Sequence, residues 1–258
     1  MKNRISSKLY NYDYYEKAMP ESMHFGKAVE FADLKSGMKI LDIGCGRGEI
    51  LILCAKLNIY SWGIDFSESA LRIIKNNIKS NSYKKNIILK KTDASALDFP
   101  SDYFDAVFLL DVIEHIYPNA AKKTIKEIYR VLKPGGRLVL RTAPNKIYCD
   151  ITYPYFVRWM HFILYPFVKI LMKKTITLSK NPRTKYDLKM HVNEQTEDSL
   201  RKLFDKTMFN KVKILNDMEV YPRADIIIYK ILANLWPISE IYPVKKYFSN
   251  VLWARTVK

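Results

Sequence analysis

Cysteine is scarce in this sequence and unpaired in pattern. Cys45, Cys54 and Cys149 are odd in number and show no C-x-x-C spacing, which argues against a structural zinc site or a disulfide framework and for a reducing, cytosolic compartment. A secretory leader is expected to be missing too, because Met1 to Leu9 is basic and polar and runs into LYNYDYYEK. So is an uninterrupted apolar run of membrane length. The nearest approach, Tyr153 to Met172, is broken by Arg158, His161 and Lys169, and Pro154 and Pro166 are expected to break or kink a helix there. Acid is in deficit: 43 Lys and Arg face 26 Asp and Glu, a net charge of +17. Glycine is sparse, and all eight glycines lie between Gly26 and Gly136.

Three of those glycines fall within five residues, in the run ILDIGCGRGEI. The apolar stretch Lys39 to Ile43 reads as a strand that breaks into a tight glycine turn and reopens as a helix near Arg47, an arrangement that brings bare backbone amides up to a ligand. The spacing is G-x-G-x-G, unlike the G-x-G-x-x-G of dinucleotide sites, and Asp42 at the strand tip would repel a pyrophosphate. A cationic, amino-acid-bearing cofactor suits that aspartate better. Further strands are expected at Tyr60 to Ile64, ending in Asp65, at Ile87 to Leu89 before Thr92-Asp93-Ala94, and at Phe104 to Leu110 before Asp111. A helix from about Asn119 to Leu132 then stops at Pro134, Gly135 and Gly136, and a fifth strand spans Arg137 to Thr142.

These five segments, over residues about 38 to 145, resemble in order and spacing the motifs of class I S-adenosylmethionine-dependent methyltransferases. The resemblance implies an α/β fold: a Rossmann-like, doubly wound seven-stranded sheet with the last strand antiparallel, plus a helical aromatic and basic lid insertion. It implies that Asp42, Gly44, Cys45 and Gly46 line the methionine end of S-adenosylmethionine, and that Asp65 holds the ribose. Phe66 would cover the adenine, Asp93 and Ala94 would read its amino edge, and Leu110 would close the site. Residues 1–36 are expected to form a cover, 37–145 with 191–258 the cofactor-binding domain, and 146–190 the lid. Tyr14 or Tyr15 would approach the sulfonium through a cation–π contact. A helix from about Glu194, a strand near Val212 to Leu215 and a final strand from Asn250 to Val257 would complete the sheet.

Methyl transfer is an in-line displacement, so few side chains are required, and a base helps only when the acceptor must lose a proton. His115 and His191 are the candidate bases. Asp111, Glu114, His115 and His191 also resemble the magnesium set of enzymes that methylate the 3′-terminal ribose of small RNAs, although no metal is assigned here. Residues 151 to 190 carry eight Lys or Arg against the single acid Asp187. Phe156, Trp159, Phe162 and Ile163 in this segment read either as the inner face of a lid over an apolar pocket or as a face meeting the membrane interface through residues 153–180, with Lys169, Lys173, Lys174 and Lys180 on headgroups. A second apolar block, Ile226 to Trp236, repeats the character. The expected activity is O-methylation of a small-molecule, glycan or lipid-linked acceptor by a cytoplasmic enzyme, peripheral to the membrane on the second reading. The alternative is methylation of RNA, which the charge favours and the absence of an appended RNA module disfavours. A binding protein that no longer catalyses is the non-enzymatic reading.

Overall fold

The computed structural model describes residues 5–6, 9–17, 24–79, 81–172, 180–205, 209–218 and 244–258. Its strands are β1 (Lys39–Ile43), β2 (Tyr60–Asp65), β3 (Ile87–Lys91), β4 (Phe104–Leu110), β5 (Leu132–Thr142), β6 (Asn210–Asp217) and β7 (Val251–Val257). They form one seven-stranded sheet in the order β3-β2-β1-β4-β5-β7-β6. The first five are parallel, and β7 runs antiparallel to both β5 and β6.

Residues of a central strand alternate between two apolar layers, which is why β4 reads as a continuous hydrophobic run. Val107 and Leu109 join one core cluster, and Ala106 and Phe108 join the other. The helices that cover the faces are α1 (Tyr12–Lys17), α2 (His24–Ala32), α3 (Glu49–Lys56), α4 (Glu68–Asn77), α5 (Pro118–Val131), α6 (Arg158–Met172), α7 (Lys185–Met190), α8 (Glu197–Asp205) and α9 (Val244–Phe248). In α5, Ala121, Ile125 and Ile128 repeat at helical spacing and are buried, while Pro118 at the start needs no amide partner. The helix α3 lies so close to β2 that a Cβ on Gly63 would come within 2.4 Å of Leu51 Cδ1.

Three expectations change. The prolines of the insertion do not break its helices: Pro154 lies within a π-helical segment, Tyr148–Val157, and Pro166 within α6. A proline lacks the amide that an interior helical position would donate, and a wider turn beside it relieves the crowding of its ring. Secondly, α8 starts at Glu197 and not at about Glu194, because Thr196 and Ser199 cap its first turn reciprocally, the Ser199 amide donating to Thr196 Oγ1 at 3.0 Å and the Thr196 amide to Ser199 Oγ at 2.8 Å. Thirdly, Phe156, Trp159, Phe162 and Ile163 are 53%, 62%, 73% and 57% exposed, so they are not the inner face of a lid. The segment is anchored instead by buried Tyr153 and Val157, packed with Tyr148, Met218 and Phe248. Among the described residues no helix is long and apolar enough to cross a membrane. Lys173, Lys174 and the block Ile226 to Trp236 lie outside the described residues.

Candidate active site

Parallel strands place their carboxyl ends on one edge of the sheet, and in β1, β2, β4 and β5 these ends carry Asp42, Asp65, Leu110 and Thr142. The chain leaves β1 through Gly44, Gly46 and Gly48, all in the left-handed region at φ +70°, +49° and +85°. At Gly44 a Cβ would meet Val112 Cγ2 at 2.4 Å, so only glycine fits. The amides of this turn are not bare, contrary to expectation. Those of Gly44 and Cys45 both donate to the Ile64 carbonyl, that of Gly48 to Cys45, and that of Gly46 to Asp65 Oδ2 at 3.2 Å. The turn therefore offers a ligand a shaped surface and flanking carboxylates more than a row of donors.

Two of those carboxylates are buried. Burial pushes Asp42 well above the usual carboxylate range and Asp65 up to about 6, the latter despite amide hydrogen bonds from Ser67 and Gly46. No Lys or Arg pairs with either among the described residues. A buried acidic pair without a cation is costly alone and suited to a positively charged ligand. Cys45 is buried beside them, and burial raises its thiol as well, so it serves as a packed small residue.

The N-terminal tyrosines cover this turn. Tyr15 Cε1 lies 3.7 Å from where a Gly46 Cβ would stand. Ser67, which caps α4, donates its hydroxyl to the Tyr10 carbonyl at 2.8 Å and so ties the cover to the end of β2. Tyr10 packs edge-on against Phe66 at 4.9 Å and against His115 at 5.6 Å. Its buried hydroxyl finds no partner among the described residues. An orphaned donor in the field of Glu114 and Asp65 fits a polar ligand. Asp93 Oδ1 receives the Ser95 amide at 2.8 Å and hydroxyl at 2.7 Å, fixing the loop after β3, and the neighbouring Ala94 packs on the core.

Past β4, Glu114, His115 and His191 converge, with one ligating atom from each within 4.8 Å of the others. The rings of His115 and His191 meet edge-on at 4.7 Å. Glu114 is buried and accepts the Thr142 hydroxyl at 3.0 Å; burial and the Asp111 charge raise it to about 7, against the pull of His191. Burial and His191 lower His115 to about 3, so its ring is neutral. His115 Nδ1 lies 3.3 Å from the Met190 carbonyl, which assigns the hydrogen to Nδ1 and leaves Nε2 as an acceptor. Burial opposes the charge on His191, but Glu194, Glu114 and Asp187 outweigh it and raise that histidine. Asp111, the fourth member of the metal-like set, does not join them. It takes φ +54° and pairs with buried Arg141 of β5, which also lies over the Trp253 ring. Glu194 and Arg183, not singled out in the sequence, hold this region: Arg183 Nε donates to Glu194 at 2.8 Å and its Nη2 to Asp150 at 2.7 Å. The tie between residues 150, 183 and 194 joins charges far apart in sequence and carries no motif.

Comparison with known proteins places these features in a family. Residues 41–140 match the methyltransferase domain family, the stretch that holds the glycine turn, Asp65 and the Glu114–His115 pair. The demethylmenaquinone methyltransferase of Symbiobacterium thermophilum is 30% identical over 178 residues, covering 68% of this chain and 69% of that relative. The chain belongs to the class I S-adenosylmethionine-dependent methyltransferases. The ubiquinone/menaquinone biosynthesis C-methyltransferase of Hydrogenovibrio crunogenus is 26% identical over 221 residues, 81% of each chain. Among solved structures, phosphoethanolamine N-methyltransferase 2 of Haemonchus contortus, in complex with S-adenosyl-L-methionine, superimposes with a TM-score of 0.63 at 17% identity, over 98% of this chain and 57% of that one. This methyltransferase thus has the expected sheet with its antiparallel final strand, and S-adenosylmethionine is its cofactor.

Proposed function

We propose that this methyltransferase modifies a hydroxyl-bearing apolar or lipid-carried acceptor, whose proton leaves into the cluster of Glu114, His115 and His191. Bound S-adenosylmethionine supplies an electrophilic methyl carbon on a sulfonium. Asp42, Gly44, Cys45 and Gly46 would line its methionine end, Asp65 would accept from the ribose, Phe66 would pack on the adenine, and Asp93, Ala94 and Leu110 would border the base. Asp42 and Asp65, buried without cations, lower the energy of a positive ligand between them.

The observation that carries the acceptor chemistry is the convergence of buried Glu114 with His115 and His191 at the edge of the sheet, where burial and the Asp111 charge hold the carboxyl above its ordinary range. A base tuned near the working pH is the one that best removes a hydroxyl proton. Glu114 would take the acceptor hydroxyl proton as the oxygen replaces sulfur on the methyl carbon that the bound cofactor would supply, leaving a neutral thioether. His115 would offer Nε2 as an acceptor, and His191, whose charged form Glu194, Glu114 and Asp187 favour, would stabilise the Glu114 carboxylate before the proton arrives. A second reading, methylation at a ring carbon, draws on the relative named as a quinone C-methyltransferase; a ring hydroxyl must still lose its proton to make the carbon nucleophilic.

The test is incubation with methyl-labelled cofactor and fractionated cell extract. Label in the lipid or apolar fraction, unchanged by a chelator, supports the proposal. Label in RNA, or turnover that a chelator abolishes and magnesium restores, replaces it with the ribose-directed alternative.

A further inference from the structure

We infer that the outward face of α6 is a docking surface for an anionic lipid bilayer. The inference deepens the proposed acceptor class and rests on it only for its biological purpose. At about 100° per residue, Trp159, Phe162, Ile163, Pro166 and Ile170 fall within an arc of roughly 100°, and each is exposed. Arg158 and Lys169 border one side of that arc, both exposed and neither paired with a carboxylate among the described residues. Lys180, Lys185 and Lys189 are exposed as well, and residues 151 to 190 carry eight Lys or Arg against the single acid Asp187.

Exposed apolar surface alone would not specify its occupant. The charge does. An apolar protein groove would match the aromatic arc but leave a spread of uncompensated cations, whereas an anionic bilayer presents a hydrocarbon boundary and a plane of negative headgroups together. Tryptophan and phenylalanine suit the interfacial depth, and long arginine and lysine stems reach headgroups from beside it. The insertion leaves the sheet from the carboxyl end of β5, the edge that carries Thr142 and, beside it, Glu114. Docking through α6 would therefore bring the acceptor side of the enzyme toward the lipid.

The experiment is co-sedimentation of the full chain with vesicles of phosphatidylcholine alone and with about one third phosphatidylglycerol, at low and high salt. Binding only to the anionic vesicles, weakened by salt, is expected. Arg158→Gln and Lys169→Gln should each lower the partition coefficient about fivefold, and Phe162→Ser roughly tenfold or more. Trp159 should become shielded from an aqueous quencher on binding, with the signal absent in Trp159→Phe. Equal binding to both vesicle types, no binding, or undiminished binding by these variants would overturn the inference, as would a concentration-dependent dimer abolished by Phe162→Ser. Calorimetry with S-adenosylmethionine on each variant verifies that it is folded. Loss of vesicle binding with cofactor binding intact leaves the acceptor reading to the labelling experiment, so the two can fail separately.

Discussion

Gly44 and Gly46 share a backbone region but not a consequence. A side chain at Gly44 adds a 2.4 Å clash with Val112 to the cost of φ +70°, whereas at Gly46 the nearest atom, Tyr15 Cε1, stands at an ordinary 3.7 Å. Gly46→Ala should cost about 1–2 kcal/mol of stability from the backbone alone, and Gly44→Ala more, with loss of cofactor binding, in thermal denaturation and calorimetry. Tyr10→Phe separates stability from binding in another way. Its hydroxyl is buried without a protein partner, so removal should leave Tm unchanged or slightly higher, while weakening ligand binding about fivefold if that donor serves the ligand. Glu114 gives opposite slopes. Its folded pKa, about 7 against an ordinary 4.5, means that the native state holds the proton more tightly; this stability is fully present below 4.5 and lost as pH rises through 7. Turnover should climb over the same interval as the carboxylate form appears. Glu114→Gln should flatten both curves, read by denaturation and by kcat/KM against pH.

At the scale of elements, what could be read from sequence was what short-range pattern dictates. The strands β1 and β4 fall where expected because apolar runs ending in Asp or Gly have few other uses in a parallel sheet. The start of α8 is set by the reciprocal cap of Thr196 and Ser199, while the loop before it is fixed by the amides of Val192 and Asn193 bonding to a carbonyl some eighty residues earlier, which no local signal encodes. Likewise Asp111 has the spacing of a ligand, but Arg141, thirty residues on, pairs with it outside the cluster. The aromatic face of α6 reads the same in sequence whether covered or bare, and only its surroundings distinguish the two. The tie from Arg183 to Glu194 and Asp150 predicts how firmly the insertion is held to the His191 loop. Hydrogen bonds to charged groups contribute about 1.5–3 kcal/mol, so Arg183→Gln should lower stability by roughly that amount. Hydrogen exchange should quicken at residues 185–196 and remain unchanged in β1; uniform quickening would refute a local tie.

Across the whole molecule, an excess of 17 positive charges acts on folding and on binding in opposite directions. Like charges crowded on a compact surface repel, and added salt screens them. Salt also weakens the attractive pairs, but the exposed ones here, such as Glu68 with Arg72 and Lys91, contribute little to begin with. Going from roughly 20 mM to 300 mM salt shortens the screening length from about 20 Å to about 6 Å, a range that removes repulsion between distant lysines more than attraction within a contacting pair. The melting temperature should therefore rise with sodium chloride, while retention on anionic vesicles falls over the same range. A protein whose excess charge is balanced by strong surface networks would instead melt earlier in salt. That result would show the acids to be placed well enough to offset the surplus, and would weaken the case that the cations of the insertion are left for a partner.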